Sequence, residues 1–173
     1  MSHTVLPDQL LNFTPEQKAQ IDQCLLYLAK RIKSPLVMIS DVSGQLLVYQ
    51  GKLSTNHSAG LSALAAGGFA AGAEIGNYLG LHDQNQFNQQ LLEGKAINLY
   101  TMRVGNELLL ITAFTRQTNL GLVRIFTERA QQELCAIAQA ASTNPRVSNL
   151  AESQLDDAVS TAIEQQMDDL FAD

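Results

Sequence analysis

Apolar residues recur three or four positions apart in three stretches of the chain, which is the spacing of one helix face. The first stretch opens with a start signal, in which Thr14 caps the helix and Gln17 closes a capping box, and it ends before Pro35. The second stretch covers residues 56–80 and the third covers residues 120–141. The pattern therefore predicts three helices in the body of the protein.

Between these helices lie apolar runs rich in β-branched and aromatic residues, bounded by turn residues. Five runs are predicted as strands, at residues 36–42, 46–50, 87–92, 96–104 and 107–114. Gly105 and Asn106 form a strong two-residue hairpin signal between the last two runs. Because hairpin connections produce antiparallel pairs, we predict an α+β fold with a five-stranded, mostly antiparallel sheet whose faces are covered by helices.

The two ends of the chain differ from this body. Residues 1–13 are predicted as a flexible leader, residues 14–142 as the domain and residues 143–149 as a polar joint. Residues 150–173 hold seven acidic residues and no Lys or Arg, whereas the rest of the chain is about neutral. This segment is predicted as an appended acidic amphipathic helix, and its apolar face, a second candidate partner surface, holds Leu155, Val159, Ile163, Met167, Leu170 and Phe171. The charge distribution argues against nucleic-acid binding and leaves open a basic protein surface as partner of the tail.

The second predicted helix, with Asn56 or Ser58 as its cap and Gly80 as its stop, is apolar nearly all round. At about 100° per residue, one side is expected to lie on the sheet and holds Leu61, Leu64, Ala65, Gly68, Gly72, Ile75 and Leu79. The opposite side is the candidate dimer or partner interface and holds Ala63, Ala66, Gly67, Ala70, Ala73, Glu74 and Asn77. A solvent-facing side would normally carry Lys, Glu or Gln, so a second chain is the economical cover. The alternatives are a helix of this same chain, or an exposed Ala face.

The sequence contains no residue pattern typical of an active site. The chain lacks a phosphate-binding loop and a nucleophile elbow, and its two cysteines, Cys24 and Cys135, do not form a CxxC pair. The pair His57-Ser58 is interpreted as part of a helix cap or loop. We therefore predict no catalytic, cofactor-binding or metal-binding residue, no enzymatic activity and no cofactor.

The same sequence features suggest a location. No signal peptide is visible at the N-terminus, and the stretch 59–81 contains Glu74 and Asn77, which makes it a poor membrane span. Unpaired cysteines fit a reducing compartment. We therefore expect a cytoplasmic protein that does not insert into a membrane.

Four segments, taken in order, resemble the Roadblock/dynein light chain family. Residues 36–49 resemble its first hairpin, residues 62–80 its Ala/Gly-rich central helix, residues 97–114 its second hairpin, and residues 118–124 the N-x-G-x-x-R opening of its last helix. The resemblance implies a five-stranded antiparallel sheet with the central helix on one face and two helices on the other. It also implies a homodimer, or a heterodimer with a paralogue, in which central helices pack together and edge strands pair.

The resemblance further implies a role as a regulator or platform for small Ras-like GTPases. Bacterial members resembling the gliding-motility polarity regulator act on a partner GTPase as activating proteins, and some carry C-terminal extensions that touch it. The leading hypothesis is therefore a non-catalytic dimeric module that binds and regulates a small Ras-like GTPase. The alternatives are a sensor domain for a small ligand and a scaffold with no GTPase partner.

Overall fold

The computed structural model describes residues 2–4, 13–81 and 86–142 of the chain. Strands and helices follow one another as β1 Ser2–Thr4, α1 Pro15–Ile32, β2 Leu36–Asp41, β3 Leu46–Gly51, α2 Thr55–Tyr78, β4 Gln89–Leu92, β5 Ile97–Val104, β6 Leu108–Thr115 and α3 Leu120–Ser142. The predicted joint at residues 143–149 and the predicted C-terminal helix at residues 150–173, including its apolar face, lie outside the described residues.

One antiparallel sheet forms the centre of the fold, with the strand order β1-β3-β2-β6-β5-β4. The five predicted strands are all present, so the antiparallel α+β fold is confirmed. The turn between β2 and β3 depends on Asp41, whose carboxylate accepts hydrogen bonds from the Ser43 hydroxyl and the Gln45 amide, and on Gly44, whose φ is +93°. Gly105 turns the β5–β6 hairpin with a φ of +59°, as its sequence signal predicted.

Strand β1 is the part of the sheet that the hydrophobic pattern did not predict. Ser2, His3 and Thr4 pair with Gln50, Tyr49 and Val48 of β3, so the sheet has six strands among the described residues. Phe13 is buried in the core as well. The structure thus differs from the flexible leader predicted over residues 1–13, because three polar residues that pair through their backbone give no periodic signal.

The helices cover the two faces of the sheet unequally. Helices α1 and α3 pack side by side on one face, and α2 alone covers the other, which confirms the arrangement implied by the family resemblance. Neighbouring residues of a strand point to opposite faces, so Leu110 belongs to the core under α1 and α3, whereas Leu109 belongs to the core under α2. This division leaves α2 with no neighbouring helix among the described elements.

Helix α1 starts as its sequence predicts. The Gln17 amide donates to the Thr14 hydroxyl over 3.2 Å, and the Thr14 amide donates to the Gln17 side chain over 2.8 Å, which completes the capping box. Its apolar stripe is fully buried and consists of Ile21, Cys24, Leu25, Leu28 and Ile32. This helix therefore behaves as an ordinary amphipathic core helix.

Candidate protein-interaction surface

Helix α2 begins before both of the caps that its sequence suggested. Ser54 is the N-cap, and its hydroxyl accepts a hydrogen bond from the His57 amide over 3.4 Å and lies 2.9 Å from the His57 ring. The prediction of Asn56 or Ser58 as cap is wrong, because both residues are inside the helix and Ser58 is buried. At the other end, Gly80 takes a φ of +74° after Tyr78, so its predicted role as a stop is confirmed.

The side of α2 that faces the sheet is built of small residues. Its buried members are Ser58, Ser62, Ala65, Ala66, Phe69 and Gly76. This stripe is the predicted one shifted by one residue, which rotates the helix by about 100°. The prediction placed Leu64 and Ile75 on the sheet because the largest apolar side chains normally seek the core, and it was wrong for both.

A close approach between α2 and the β2–β3 turn explains the choice of small residues. The Ser62 hydroxyl donates to the Gly44 carbonyl oxygen over 2.9 Å, which satisfies both buried groups. A Cβ atom on Gly44 would lie 2.7 Å from the Cα of Ala63, so a larger residue at Gly44 does not fit this packing. A leucine turned toward this turn would push the helix off the sheet.

Contacts from the β4 side fix the rotation of the helix further along. The Gln90 side chain donates to the Gly68 carbonyl oxygen over 3.2 Å, and the Phe87 ring lies close to Gly76. The Arg103 guanidinium lies 5.4 Å from the centre of the Phe69 ring, within the range of a cation–π contact. These contacts use the Phe69 side of α2, so the opposite side stays exposed.

The exposed side of α2 is more apolar than the sequence predicted. Leu64 is 76% exposed, Ile75 57% and Tyr78 91%. We call this surface the α2 open face, and its members are Gly60, Ala63, Leu64, Gly67, Ala70, Ala71, Glu74, Ile75, Asn77 and Tyr78. Contiguous apolar exposure of this kind marks interaction sites more often than ordinary protein surface.

Five of the seven predicted interface residues lie on the α2 open face, and two do not. Ala66 is only 2% exposed because it packs on the sheet, and Ala73 is half-buried. Ala66 corrects the prediction, because the one-residue rotation of the helix places it against the sheet, and the same rotation places Ala73 at the border of the open face. The sequence analysis in turn missed Leu64, Ile75 and Tyr78 as members of the exposed surface.

Small residues on the α2 open face have no explanation within the described chain. A Cβ atom at Gly60 or at Gly67 would meet nothing within 4 Å, so neither glycine is required by packing. Glycine inside a helix costs about 1 kcal/mol relative to alanine. Glu74 is the one Asp, Glu, Lys or Arg residue of this 24-residue helix. The face therefore suits close approach by another apolar surface better than it suits solvent.

An apolar groove adjoins the helix on the same face of the sheet. It has a volume of about 480 Å³, and its apolar walls come mainly from Leu53, Leu61, Leu92, Ile97 and Leu99. Leu36, Leu99 and Ala113 also belong to the core under α2, which places the groove on that face. Since Leu61 and Leu64 are about one helical turn apart, the groove continues the α2 open face.

Neither surface contains a cluster of reactive side chains. In the ranges 2–4, 13–81 and 86–142, no group of three His, Cys, Asp or Glu residues is arranged to hold a metal ion. Burial, followed by the charge of Glu133 and a hydrogen bond to it, raises the pKa of Cys24 to about 12, and burial also raises the pKa of Tyr100. Both groups lie under α1 and α3, away from the α2 open face.

No described helix is both long enough and apolar enough to cross a membrane. This includes α2, although it spans 24 residues and contains one charged residue.

Several solved structures share this fold. MglB from Myxococcus xanthus is 30% identical to the chain, over 70% of this chain and 96% of that one, with a TM-score of 0.65. The gliding protein MglB from Thermus thermophilus is 24% identical, over 79% of this chain and 100% of that one, with a TM-score of 0.69. A Roadblock/LC7 domain from Streptomyces avermitilis is 18% identical, over 69% of this chain and 92% of that one, with a TM-score of 0.55.

No family model and no curated protein matches the sequence. The identity to MglB from Myxococcus xanthus, over nearly the whole length of that protein, nevertheless establishes the relationship. It agrees with the strand order and with the single small-residue helix on one face of the sheet. The chain therefore belongs to the Roadblock/dynein light chain family and is an MglB-like, gliding-regulator-type member of it.

Proposed function

We propose that this protein is a dimeric, non-catalytic module that binds and regulates a small Ras-like GTPase, as an activating protein or as a platform. The observation that carries the proposal is the α2 open face, on which Leu64, Ile75 and Tyr78 are exposed beside Gly67. Family membership suggests the class of partner. Hydrolysis of the nucleotide would be the chemistry of the GTPase, and we assign no catalytic, cofactor-binding or metal-binding residue to this chain.

The dimer forms through the α2 open faces of two copies, or of one copy and a paralogue. In this proposal, five of the predicted interface residues take part, together with the exposed side chains of Leu64, Ile75 and Tyr78. Gly60 and Gly67 have open space where a Cβ would be, so two helix backbones can approach closely there. One solved MglB structure, 23% identical to this chain with a TM-score of 0.69, has a tetrameric arrangement, which is consistent with self-association in this family.

The GTPase is expected to contact the same side of the dimer, where the groove lined by Leu53, Leu61 and Ile97 remains next to the paired helices. The apolar face predicted for residues 150–173 is a second candidate contact. Insertion into a membrane is not part of this proposal, and the cytoplasmic location stays a prediction.

The dimer is tested by light scattering coupled to size-exclusion chromatography. The variant Leu64→Glu places a carboxylate on the α2 open face and is expected to convert the dimer to a monomer, because an unpaired charge would be buried in the interface. Ile125→Glu is the matched control, since Ile125 is also well exposed but lies on a helix of the opposite face. A wild-type protein that runs as a monomer, or a Leu64→Glu variant that stays dimeric, contradicts this interface.

The GTPase is tested by affinity capture from a lysate of the source cell, with GDP and with a non-hydrolysable GTP analogue. A small GTPase recovered in a nucleotide-dependent way supports the proposal. Its hydrolysis rate with and without this protein then separates an activating role from a platform role. A clean dimer that captures no GTPase with either nucleotide contradicts the proposal and favours a scaffold with another partner.

The groove favours one other function, a sensor for a small apolar ligand. Its volume of about 480 Å³ lies in the range of small-molecule sites, and Lys52, Glu93 and Asn98 bring a few polar groups to an otherwise apolar lining. Mass spectrometry of the denatured protein tests this function directly. A stoichiometric small molecule would support the sensor, and a consistently empty protein would exclude it.

A further inference from the structure

A second exposed apolar surface lies on the outer side of α1 and α3, on the opposite face of the sheet from α2. The Tyr27 and Phe126 rings meet edge to face, with their centres 6.5 Å apart. The Arg31 guanidinium lies 5.0 Å from the centre of the Tyr27 ring and 5.8 Å from that of Phe126. Leu122 is 49% exposed and Ile125 62%. We call these five residues the α1/α3 patch.

The α1/α3 patch is bordered by positive charge. Leu122, Ile125 and Arg129 follow one another at helical spacing along one stripe of α3, and Lys30 precedes Arg31 on α1. Glu128 and Glu133 are the two acids of α3, and their charges contribute to the raised pKa values of Tyr100 and Cys24, which are both buried in the core beneath the helix. An apolar patch with a basic border fits a partner helix that has an apolar stripe flanked by acidic residues.

The chain itself contains such a segment. We propose that residues 150–173 fold back as an amphipathic helix onto the α1/α3 patch of the same chain, where their apolar face is held until another protein displaces it. The segment has seven acidic residues and no Lys or Arg, and its apolar residues recur at helical spacing. It thus has both the apolar stripe and the acidic residues that we expect in a partner of the patch.

The length of the chain beyond α3 fits this placement. Helix α3 ends at Ser142, and the seven residues 143–149 are enough for a connection between antiparallel helices, which usually takes about two to eight residues. A helix over residues 150–173 would be about 36 Å long at 1.5 Å per residue, close to the length of α3. The segment therefore spans the full length of the layer when it runs back along α3.

The register of this antiparallel arrangement brings matching residues together. With residue 150 opposite residue 142, Met167 lies opposite Ile125 and Leu170 lies opposite Leu122. The apolar end of the tail is then at the exposed half of α3. Asp168 and Asp169 reach the same region, within the range of the positive charges of Arg31 and Arg129. In this register, apolar residues of the tail lie opposite apolar residues of α3, and acidic residues of the tail lie near basic residues of the patch and its border.

The placement has a consequence that goes beyond binding a GTPase. The same apolar face of the tail cannot contact α1/α3 and another protein at once, so the two contacts compete. The tail does not cover the α2 open face in either case, and dimerisation does not depend on the position of the tail. The proposal can therefore be tested with the full-length protein alone, and its outcome is independent of whether a GTPase binds.

Amide hydrogen exchange of the full-length protein, followed by mass spectrometry, is the test. In the wild type, amides of residues 155–171 are expected to exchange about tenfold or more slowly than those of an unstructured peptide, because a short joint gives a millimolar effective concentration. Ile125→Glu should return them to the unstructured rate, whereas Leu64→Glu, the matched control on α2, should leave them protected. Circular dichroism checks that each variant is folded.

A double substitution in the tail tests the same contact without changing any residue of the folded domain. Asp168→Lys and Asp169→Lys together should also reduce the protection, since they place positive charge against Arg31 and Arg129. Unprotected wild-type amides, protection that survives Ile125→Glu and the charge reversal, or protection that Leu64→Glu removes would each overturn the proposal. Protection that disappears on about hundredfold dilution would overturn the intrachain contact and indicate pairing between copies instead.

Discussion

The two layers that cover the sheet are built on different principles. Under α1 and α3, twenty of the described residues are buried in one core cluster, and the two helices support each other. Under α2, ten are buried, and several of them are alanine. One face of the sheet therefore holds most of the apolar burial that stabilises the fold, while the other is thin and leaves apolar surface exposed.

The charges follow the same division. Helix α3 exposes Arg124, Glu128 and Arg129 on its outer side, as a solvent-facing helix normally does, whereas α2 exposes Glu74 as its one charged residue. An apolar outer face on the thinner layer is costly unless another molecule covers it. The difference is what we expect of a helix that contacts the sheet on one side and, as proposed above, a second molecule on the other.

The strongest test of this division compares two identical substitutions on α2. Ala66→Glu places a carboxylate against the sheet and is expected to lower the free energy of unfolding by about 3 kcal/mol or more, because the charge has no partner there. Ala70→Glu lies on the α2 open face and should change the stability of the monomer by less than about 0.5 kcal/mol. Urea unfolding measures both. Equal losses for the two variants would place both alanines on the same side.

Two adjacent leucines of β6 allow the packing of the two layers to be compared, because one leucine lies under each layer. Leu110→Ala empties space under α1 and α3 and should cost about 4 kcal/mol, whereas Leu109→Ala under α2 should cost about 2–3 kcal/mol, because a single helix settles more easily into the cavity. Both side chains are almost fully buried, so their exposure does not bias the comparison. A Leu109→Ala variant that loses as much as Leu110→Ala would show that α2 is held as rigidly as its counterparts.

Gly67→Ala separates the stability of the chain from that of the dimer. A Cβ atom at this position meets nothing within the chain, so the monomer should gain about 0.5–1 kcal/mol from better helix propensity. The dimer should dissociate more readily, because the added methyl group separates the two helices. Thermal unfolding at low concentration gives the first quantity, and analytical ultracentrifugation gives the second. Tighter association in this variant would contradict close packing at Gly67.

At neutral pH the smallest effect is expected from the two thiols of the thick layer. Because burial raises the pKa of Cys24 from 9.0 to about 12, the folded protein favours its neutral thiol. The stabilisation is complete below pH 9 and is lost as the pH rises toward 12, so the free energy of unfolding should fall over that interval. Cys24→Ala should reduce this dependence. Alkylation of the folded protein should modify the half-buried Cys135 and leave the buried Cys24 intact until the protein unfolds.

The sequence predicted the fold well because strong local signals agree with each other. The capping box of Thr14 and Gln17, the turn at Gly105 and the stop at Gly80 all have the roles that their residue types favour. The rotation of α2 was predicted wrongly by one residue, because it depends on Gly44, a residue of the distant β2–β3 turn. Periodicity within the helix carries no information about such a contact.

The candidate surface was predicted in part for a related reason. A helix that is apolar all round gives no contrast between its two sides, so Ser58 and Ser62 were left off the predicted sheet-facing side although both are buried. The groove was missed because its walls come from α2, from β5 and from the turns beside them, which only the sheet order brings together. The sequence held one signal for the observed rotation of α2 about its axis, which is the helical spacing of Ser58, Ser62, Ala65 and Phe69.

The short strand β1 limits how copies of this protein can join edge to edge. A sheet with two open edges can grow without end, as in a fibre, because each added copy presents a new edge. Here Ser2–Thr4 covers β3 and is itself one edge of the described sheet, and β4 is the other edge. Because a strand of three residues offers few backbone groups for pairing, growth of the sheet from the β1 edge is disfavoured, and pairing at β4 would join two chains without extending further. Three residues at one end of the sheet thereby work against its open-ended growth.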